Sequence, residues 1–490
     1  MSGRMRLSEI QFFRNGDMTV RSCTLAAYLL IACVCQLAVS VSVPVPTASQ
    51  LMYQQHEIVA LIHFNMATYA NDGDPACNPS NWNVVAPNAT GPTSDPATFN
   101  PASLNVSNWA ESMLALGAKH AVLTAKHGCG HLLWPTETPL PDGREYTYCV
   151  GKNASAIKID VLQEFSETMK QAGIGHGFYY SLTNNFYLNV GGNTVQNSSF
   201  LIPRQENVSQ EQFEAIALSQ ITELWSRYGP LTEVWFDGGY TSNMQGKIAA
   251  LLRTYQPDAV AFGGYGVSPN PLGWVGTESG SPKGEVWSTG AEGVGDPDSP
   301  IFCPKTCDTT LQENDKWFWT GNPIRTLHEL IDVYHGTVGR NGVLELDFAI
   351  NRAGLVDESH AARYKELGGW IRTCYGKPVA ESAVNGTYAE LILPPGAPAV
   401  DRVMLQEDLA QGQRVRNYTV ELLVPGAGWK VFSQGQSIGN KRIDLGSATR
   451  AWSFRLNITN FAGTNGPFIT KFAVYQACSA GKAEEIIIIA

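Results

Sequence analysis

At 490 residues the chain is too long for one ordinary core, which predicts a large domain and a smaller one. Its net charge of −10, with no block of Lys or Arg, argues against nucleic-acid binding, where clustered cations neutralise phosphates. Charged residues at 16% and aromatics at 10% suit a folded enzyme or binding protein and exclude a largely disordered chain.

The N-terminus reads as a secretory signal. Arg4, Arg6, Arg14 and Arg21 precede an apolar run from Cys23 to Val39, and Ala38-Val39-Ser40 is a small-x-small cleavage pattern. Residues 1–42 are therefore assigned to a signal peptide. An uncleaved signal anchor is the alternative, and the only route to a membrane, because the run is nearly long enough to span a bilayer. Asn-x-Ser/Thr sequons follow at Asn88, Asn105, Asn153, Asn197, Asn207, Asn385, Asn417 and Asn457, more than chance supplies. They point to a glycosylated product that is secreted or lumenal. Of the ten cysteines, Cys23, Cys33 and Cys35 lie in the signal, so an odd number remains and at least one thiol is unpaired within the chain. Cys303-Pro-Lys-Thr-Cys307 has the spacing of a small loop disulfide, with pairing otherwise open.

From residue 50 to 375, apolar β-runs alternate with helical patterns. Val59–Phe64 opens the series, followed by a helix with Asn108 and Glu111 at capping-box spacing and a stop at Gly117. Ala121–Ala125 is the second strand. Asp160 caps a helix with Leu162, Phe165, Met169 and Ala172 on one face, ended by Gly173. Gly177–Leu182 is the third strand, and Ser209 with Gln212 caps the next helix. The fourth strand, Glu233-Val-Trp-Phe, delivers Asp237 onto a glycine-opened turn. Ala259–Phe262, Trp274–Gly276 and Val343–Ile350 continue the series, with helices near 244–255, 325–338 and 357–372. Such repeated units predict an α/β protein built on a (β/α)8-like barrel. The Gly/Pro-rich stretch from Val267 to Trp319 is otherwise irregular and reads as a functional loop system.

Residues 376–490 have a different texture. Short strands at Tyr388–Leu393, Val403–Gln406, Tyr418–Val424, Lys430–Ser433, Ala451–Leu456 and Lys471–Gln476 are separated by Gly, Pro and Asn turns, which predicts an all-β sandwich.

Chemistry in such a barrel sits at the C-terminal ends of the strands. Those ends carry His63, Lys126-His127, Tyr179-Tyr180-Ser181 and Asp237. Taken singly, each has a plainer explanation: a structural histidine, core aromatics, or a turn carboxylate bonding its own backbone. Taken together they suit a sugar site, where aromatic rings cover apolar sugar faces and carboxylates act on the glycosidic bond. A second acid is needed, and Glu278 follows an apolar run and precedes a Ser-Gly turn, as Asp237 precedes glycines. Glu285 and Glu292 lie deeper in the loop. No metal is expected: His127 and His131 are four apart, but Gly128 and Gly130 oppose the helix that would bring them together. No cofactor motif is present, and the oligomeric state is not legible.

Several ordered motifs carry a family likeness. Ala60-Leu-Ile-His-Phe64, Val122-Leu-Thr-Ala-Lys-His127, Leu133-Trp-Pro-Thr-Glu137, Ala172-Gly-Ile-Gly-His-Gly-Phe-Tyr-Tyr-Ser181, Glu233-Val-Trp-Phe-Asp-Gly-Gly239, Gly273-Trp-Val-Gly-Thr-Glu-Ser-Gly280, Pro304-Lys-Thr-Cys-Asp308, Trp317-Phe-Trp319 and Val338-Gly-Arg-Asn-Gly342 occur in matching order. The stretch from Gln54 to Arg372 thereby resembles an α-L-fucosidase of glycoside hydrolase family 29, of the plant and bacterial branch acting on α-1,3/1,4-linked fucose. The resemblance implies a retaining exo-glycosidase acting on a fucosylated oligosaccharide or glycoprotein. Asp237 would be its nucleophile and Glu278 its general acid/base. His63 and His127 match histidines that bind fucose hydroxyls, Tyr180 sits at the strand-three sugar contact, and Trp235 packs beside the nucleophile.

The departures fall on the sugar-reading shell. The family's Lys-His-His-Asp/Glu-Gly-Phe becomes Lys126-His127-Gly128-Cys129-Gly130-His131, Ser-Pro-Trp-Asp becomes Ser181-Leu182-Thr183-Asn184, and Pro-Ala-Glu-Cys-Asp becomes Pro304-Lys305-Thr306-Cys307-Asp308. A Leu-Asn-x-x-Pro stretch becomes Leu346-Asp347-Phe348-Ala349-Ile350. Two rival expectations follow: a related exo-glycosidase with another sugar specificity, or a catalytically weak carbohydrate-binding homologue.

Overall fold

The computed structural model describes residues 43–69, 95–196 and 205–478. The signal segment, Cys77 and the sequons at Asn88 and Asn197 lie outside the described residues. Among the described residues, no helix is long and apolar enough to cross a membrane.

Eight parallel strands close a barrel. In chain order they are β1 (Ile58–His63), β2 (His120–Lys126) and β3 (Gly175–Tyr180), then, after a small hairpin of β4 (Val190–Gly191) and β5 (Thr194–Val195), β6 (Glu233–Trp235), β7 (Val260–Phe262), β8 (Pro271–Trp274), β9 (Lys305–Thr309) and β10 (Val343–Ala349). Pairing of β10 with β1, from Leu344 opposite Ile58 to Ala349 opposite His63, seals the ring. Strand alternation divides the side chains into two sets. Leu61, Val122, Tyr179, Trp235 and Leu272 face the barrel interior. Ile62, Leu123, Phe178, Val234 and Leu346 face the surrounding helices and form the larger core.

The helices keep the boundaries their caps dictate. Asp160 accepts from the amides of Leu162 and Gln163, and Gly173 closes that helix in the left-handed region. Ser209 and Gln212 form the expected capping box of Gln210–Arg227. The first barrel helix is different. It spans Val106–Leu116 with Asn105 as its cap, so it begins earlier than the Asn108/Glu111 spacing suggested. The Asn108 side chain instead accepts from the amide of Val356.

Several elements are not legible in the sequence, among them the strands Ala380–Asn385 and Arg442–Thr449 of the C-terminal sheets. A helix, Ala48–His56, precedes β1 with a Thr47/Gln50 capping box, and it sends Tyr53 into the barrel interior. The seventh barrel strand, β9, lies within the stretch expected to be irregular, and β8 starts at Pro271 rather than Trp274. All five residues of β9 are buried although Lys305, Thr306, Asp308 and Thr309 are polar. Hydropathy therefore hid it.

Beyond the barrel, two four-stranded antiparallel sheets form the sandwich. One has the order β11 (Ala380–Asn385), β18 (Phe468–Gln476), β13 (Val400–Glu407), β16 (Arg442–Thr449); the other β12 (Tyr388–Ile392), β17 (Ser453–Phe461), β14 (Val415–Val424), β15 (Gly428–Gly435). Their facing side chains, among them Val403, Tyr418, Phe454 and Phe472, make a separate core. The sandwich packs on the barrel rim below the strand starts. Lys441 pairs with Glu57 at 2.5 Å and Arg442 with Glu285 at 2.5 Å, while Asn440 Nδ2 donates to the Gln54 carbonyl at 2.9 Å. Much of the long β8–β9 connection is held there too, with Ser437 Oγ donating to the Val286 carbonyl at 2.6 Å.

The cysteine expectation fails at one point. Cys303 and Cys307 are both free and buried. Cys307 lies inside β9 and Cys303 two residues before it, where extended backbone holds the two side chains apart. A disulfide instead joins Cys374, at the end of helix Glu358–Tyr375, to Cys478 just after β18, across 104 residues. It ties the end of the last sandwich strand to the last barrel helix.

Candidate active site

The C-terminal mouth of the barrel gathers a compact polar and aromatic cluster. Asp237 follows β6 on the same face as Trp235, and the turn that carries it passes through Gly238 and Gly239, both at positive φ. Gly238 is also needed for space, because a Cβ there would run into Thr183. Thr183 uses that approach to donate from Oγ1 to the Asp237 carbonyl at 2.6 Å. The Asp237 carboxylate accepts from the Tyr179 hydroxyl at 2.5 Å, a short bond of the charge-assisted kind.

Aromatic packing places Tyr179. Its ring stacks on Trp235 with centroids 4.9 Å apart and planes at 26°, and on the other side lies near-parallel to His127 at 5.5 Å. His127 meets Phe318 edge-on at 4.8 Å, and His63 touches Trp317 and Phe318 at 4.9 and 5.2 Å. The Trp317 indole also reaches Glu278 Oε2 at 3.4 Å. One loop after β9 thus lies against both histidines and the second acid.

Of the residues singled out in the sequence, His63, His127, Trp235, Asp237 and Glu278 belong to this cluster or directly support it. Tyr180 does not. Strand alternation turns it outward, where its hydroxyl donates to Gln220 Oε1 at 2.6 Å within the sheet–helix core. Tyr179 takes the place at the mouth. Counting parity from Trp235, which β-pairing sets beside Tyr179, was the available signal.

Burial sets the charges. His63 Nδ1 is 2.9 Å from Asp347 Oδ1. Burial, reinforced by His127, holds the His63 pKa well below its ordinary value, and burial pushes Asp347 well above its own. We therefore read the contact as a neutral hydrogen bond rather than an ion pair, one that does not engage His63 Nε2. Glu278 is exposed at the rim, whereas Asp308 on β9 is buried. Asp308 is 4% exposed, and desolvation, with smaller contributions from the Glu278 and Asp237 charges, raises its pKa to about 7 against the lowering effect of a 2.6 Å bond from the Trp274 indole. Both catalytic candidates therefore lie within electrostatic reach of one buried carboxyl.

Lys126 is a staple the sequence did not reveal. Fully buried, its ammonium donates to the carbonyls of Ser181 and Asn184 and lies 4.9 Å over the Tyr180 ring. Burial lowers its pKa to about 7, partly opposed by the Asp237 charge. It orders the loop from which Thr183 reaches Asp237.

The altered stretch after β2 is tied into the loop after β3. Gly128 and Cys129 carbonyls accept from the amides of Phe186 and Tyr187 at 2.8 and 3.2 Å, which zips this loop onto the one after β3. Gly130, at positive φ, leaves the room that Asn185 fills. Cys129 is disulfide-bonded, and His131 is fully buried against Phe99 and Tyr148, away from His127 and the mouth.

Comparisons with known proteins bear on the family and the fold. The family profile described as Alpha-L-fucosidase matches residues 93–376. Alpha-L-fucosidase 1 of Arabidopsis thaliana is 25% identical over 455 residues, spanning 82% of this chain and 81% of the plant protein. A glycoside hydrolase 29 family member from an unknown rumen bacterium has a TM-score of 0.72 at 25% identity, covering 89% of this chain and 78% of its own. A Ruminococcus gnavus GH29 fucosidase solved in complex with fucose has a TM-score of 0.69 over 89% of this chain and 96% of its own; at 22% identity that likeness concerns the fold alone.

Proposed function

The chain belongs to the α-L-fucosidase family of glycoside hydrolases, and on that premise we propose that it is a retaining exo-glycosidase releasing terminal α-L-fucose from α-1,3/1,4 linkages in glycans. Asp237 is the nucleophile and Glu278 the general acid/base. The observation that carries this reading is the Asp237 carboxylate, aimed by Tyr179 at 2.5 Å among His63, His127 and the exposed Glu278.

The chemistry follows from two carboxyl groups with different tasks. Ionised Asp237 attacks the anomeric carbon as the C1–O bond to the leaving sugar breaks, and Glu278 passes its proton to the departing oxygen. The product is a fucosyl ester on Asp237. Glu278, now a carboxylate, takes a proton from water, and the resulting attack at C1 releases fucose and regenerates both groups. Within this scheme His63 and His127 bind sugar hydroxyls, Trp317 and Phe318 wall the pocket, and Trp235 supports Tyr179 from below.

The N-terminal signal reading implies a secreted or lumenal glycoprotein. Within the described residues, Asn105, Asn153, Asn207, Asn385, Asn417 and Asn457 are all exposed, as N-glycosylation requires.

The test is hydrolysis of a panel of aryl glycosides and defined fucosyl oligosaccharides by wild type and Asp237→Ala. The proposal expects turnover of α-L-fucosides with net retention, lost in Asp237→Ala. Turnover of another sugar alone would assign a different specificity, and no turnover of any member would leave a carbohydrate-binding homologue. An active Asp237→Ala enzyme would remove the nucleophile assignment.

A further inference from the structure

We propose that Glu345, deep in the barrel on β10, is a positioning residue for the nucleophile: it fixes the indole of Trp235, which supports Tyr179, which aims Asp237. The inference rests on Asp237 being the nucleophile.

The connection is continuous. Glu345 is fully buried. Its Oε2 accepts from the Trp235 indole at 3.1 Å and its Oε1 accepts from the Tyr53 hydroxyl at 2.9 Å. Tyr53 is itself held by a 2.6 Å bond with Thr306 Oγ1 on β9. Trp235 is sandwiched between Phe262, at 3.7 Å and 2°, and Tyr179. Stacking fixes the plane of an indole but resists sliding and in-plane rotation only weakly. The edge bond to Glu345 supplies the missing constraint, and the Tyr179 hydroxyl carries it to Asp237 Oδ2.

A carboxyl group is an expensive way to fill this space. Burying it incurs a desolvation cost that an apolar side chain of similar size would avoid. Burial, together with the Glu233 and Asp308 charges, drives the Glu345 pKa well up. What the carboxyl provides is a rigid double acceptor between the floor helix Ala48–His56 and the ring stack. Placement errors near 1 Å at a reacting group lower rates by up to about 100-fold, so this constraint has catalytic leverage.

Three variants test it. Trp235→Phe keeps a stacking ring but deletes the edge donor. Glu345→Leu deletes the acceptor. Glu345→Gln keeps an acceptor for the indole and exchanges the acceptor facing Tyr53 for an amide donor, which the Tyr53 oxygen can accept while its own proton turns to Thr306. Steady-state kinetics on an aryl α-L-fucoside are read alongside the rate at which a 2-deoxy-2-fluoro-fucosyl fluoride labels Asp237. Trp235→Phe and Glu345→Leu should each slow kcat and labelling by about 10- to 100-fold with KM little changed. Their double variant should be no slower than the worse single one, because both act on one path. Glu345→Gln should recover most of the loss. A folded Trp235→Phe enzyme with wild-type kcat and labelling rate overturns the proposal, as does a Glu345→Gln enzyme as slow as Glu345→Leu. If Glu345→Leu fails to fold, Trp235→Phe decides. Failure of the nucleophile assignment is told apart by the label, which would then sit on a residue other than Asp237.

Discussion

Asp308 gives the sharpest physical prediction, because its environment is written into its proton affinity. Replacing it with asparagine keeps an oxygen for the Trp274 indole while removing the titration. In the folded protein burial raises the Asp308 pKa to about 7, against about 3.9 for an unperturbed aspartate. The folded state therefore binds more protons than the unfolded state between these values, and stability falls as pH rises through that window. At one pKa unit per ~1.4 kcal/mol, this site alone should cost wild type about 2.5 kcal/mol between pH values of about 5 and 8. The site is nearly inaccessible to solvent, so screening takes little from that figure. Glu233, Glu345 and Asp347, also raised by burial, titrate in both proteins and largely cancel in the difference. Urea unfolding at both pH values, followed by tryptophan fluorescence, measures it. Asp308→Asn should gain about 2.5 kcal/mol relative to wild type as the pH rises across that range. A difference independent of pH would show that Asp308 ionises normally, and the reasoning from burial would fall.

Further expectations concern the tyrosine pair and the disulfide. Tyr179→Phe deletes a charge-assisted bond of about 1.5–3 kcal/mol and should lower kcat/KM roughly 10- to 100-fold. Tyr180→Phe should leave kcat/KM within about twofold but cost about 1–3 kcal/mol of stability, by stranding the buried Gln220 oxygen. The opposite ranking in the same two assays would mean that the strand-three parity is misassigned. Replacing both Cys374 and Cys478 with serine opens a 104-residue loop and should lower unfolding stability by about 2–5 kcal/mol, measured by urea denaturation. An unchanged midpoint and slope would show that the rim contacts alone secure the sandwich.

The helix caps explain why so much of the fold was legible. Asp160, Gly173, Ser209 and Gln212 act within a few residues of their own position, so local sequence is enough to place them. Strands buried on both faces are harder. β9 was overlooked because Lys305 and Asp308 read as loop residues, and only the closed ring explains why polar side chains are buried there. Likewise, the spacing of Cys303 and Cys307 suggested a bond that a strand geometry forbids, while the bridge that does form joins residues no local pattern relates.

The sequence by itself determined the β/α series, the family motifs and the strand-end positions of Asp237 and Glu278, because these depend on residue order and short-range periodicity. The tertiary structure decided which side chains meet. Barrel closure and strand register put Tyr179 rather than Tyr180 at Asp237, and put Asp308 and Glu345 in the dry interior. The physical reason is that hydrogen-bond partners and desolvation are properties of neighbours far apart in the chain. Shared register sets those neighbours, and a single residue of parity reverses them.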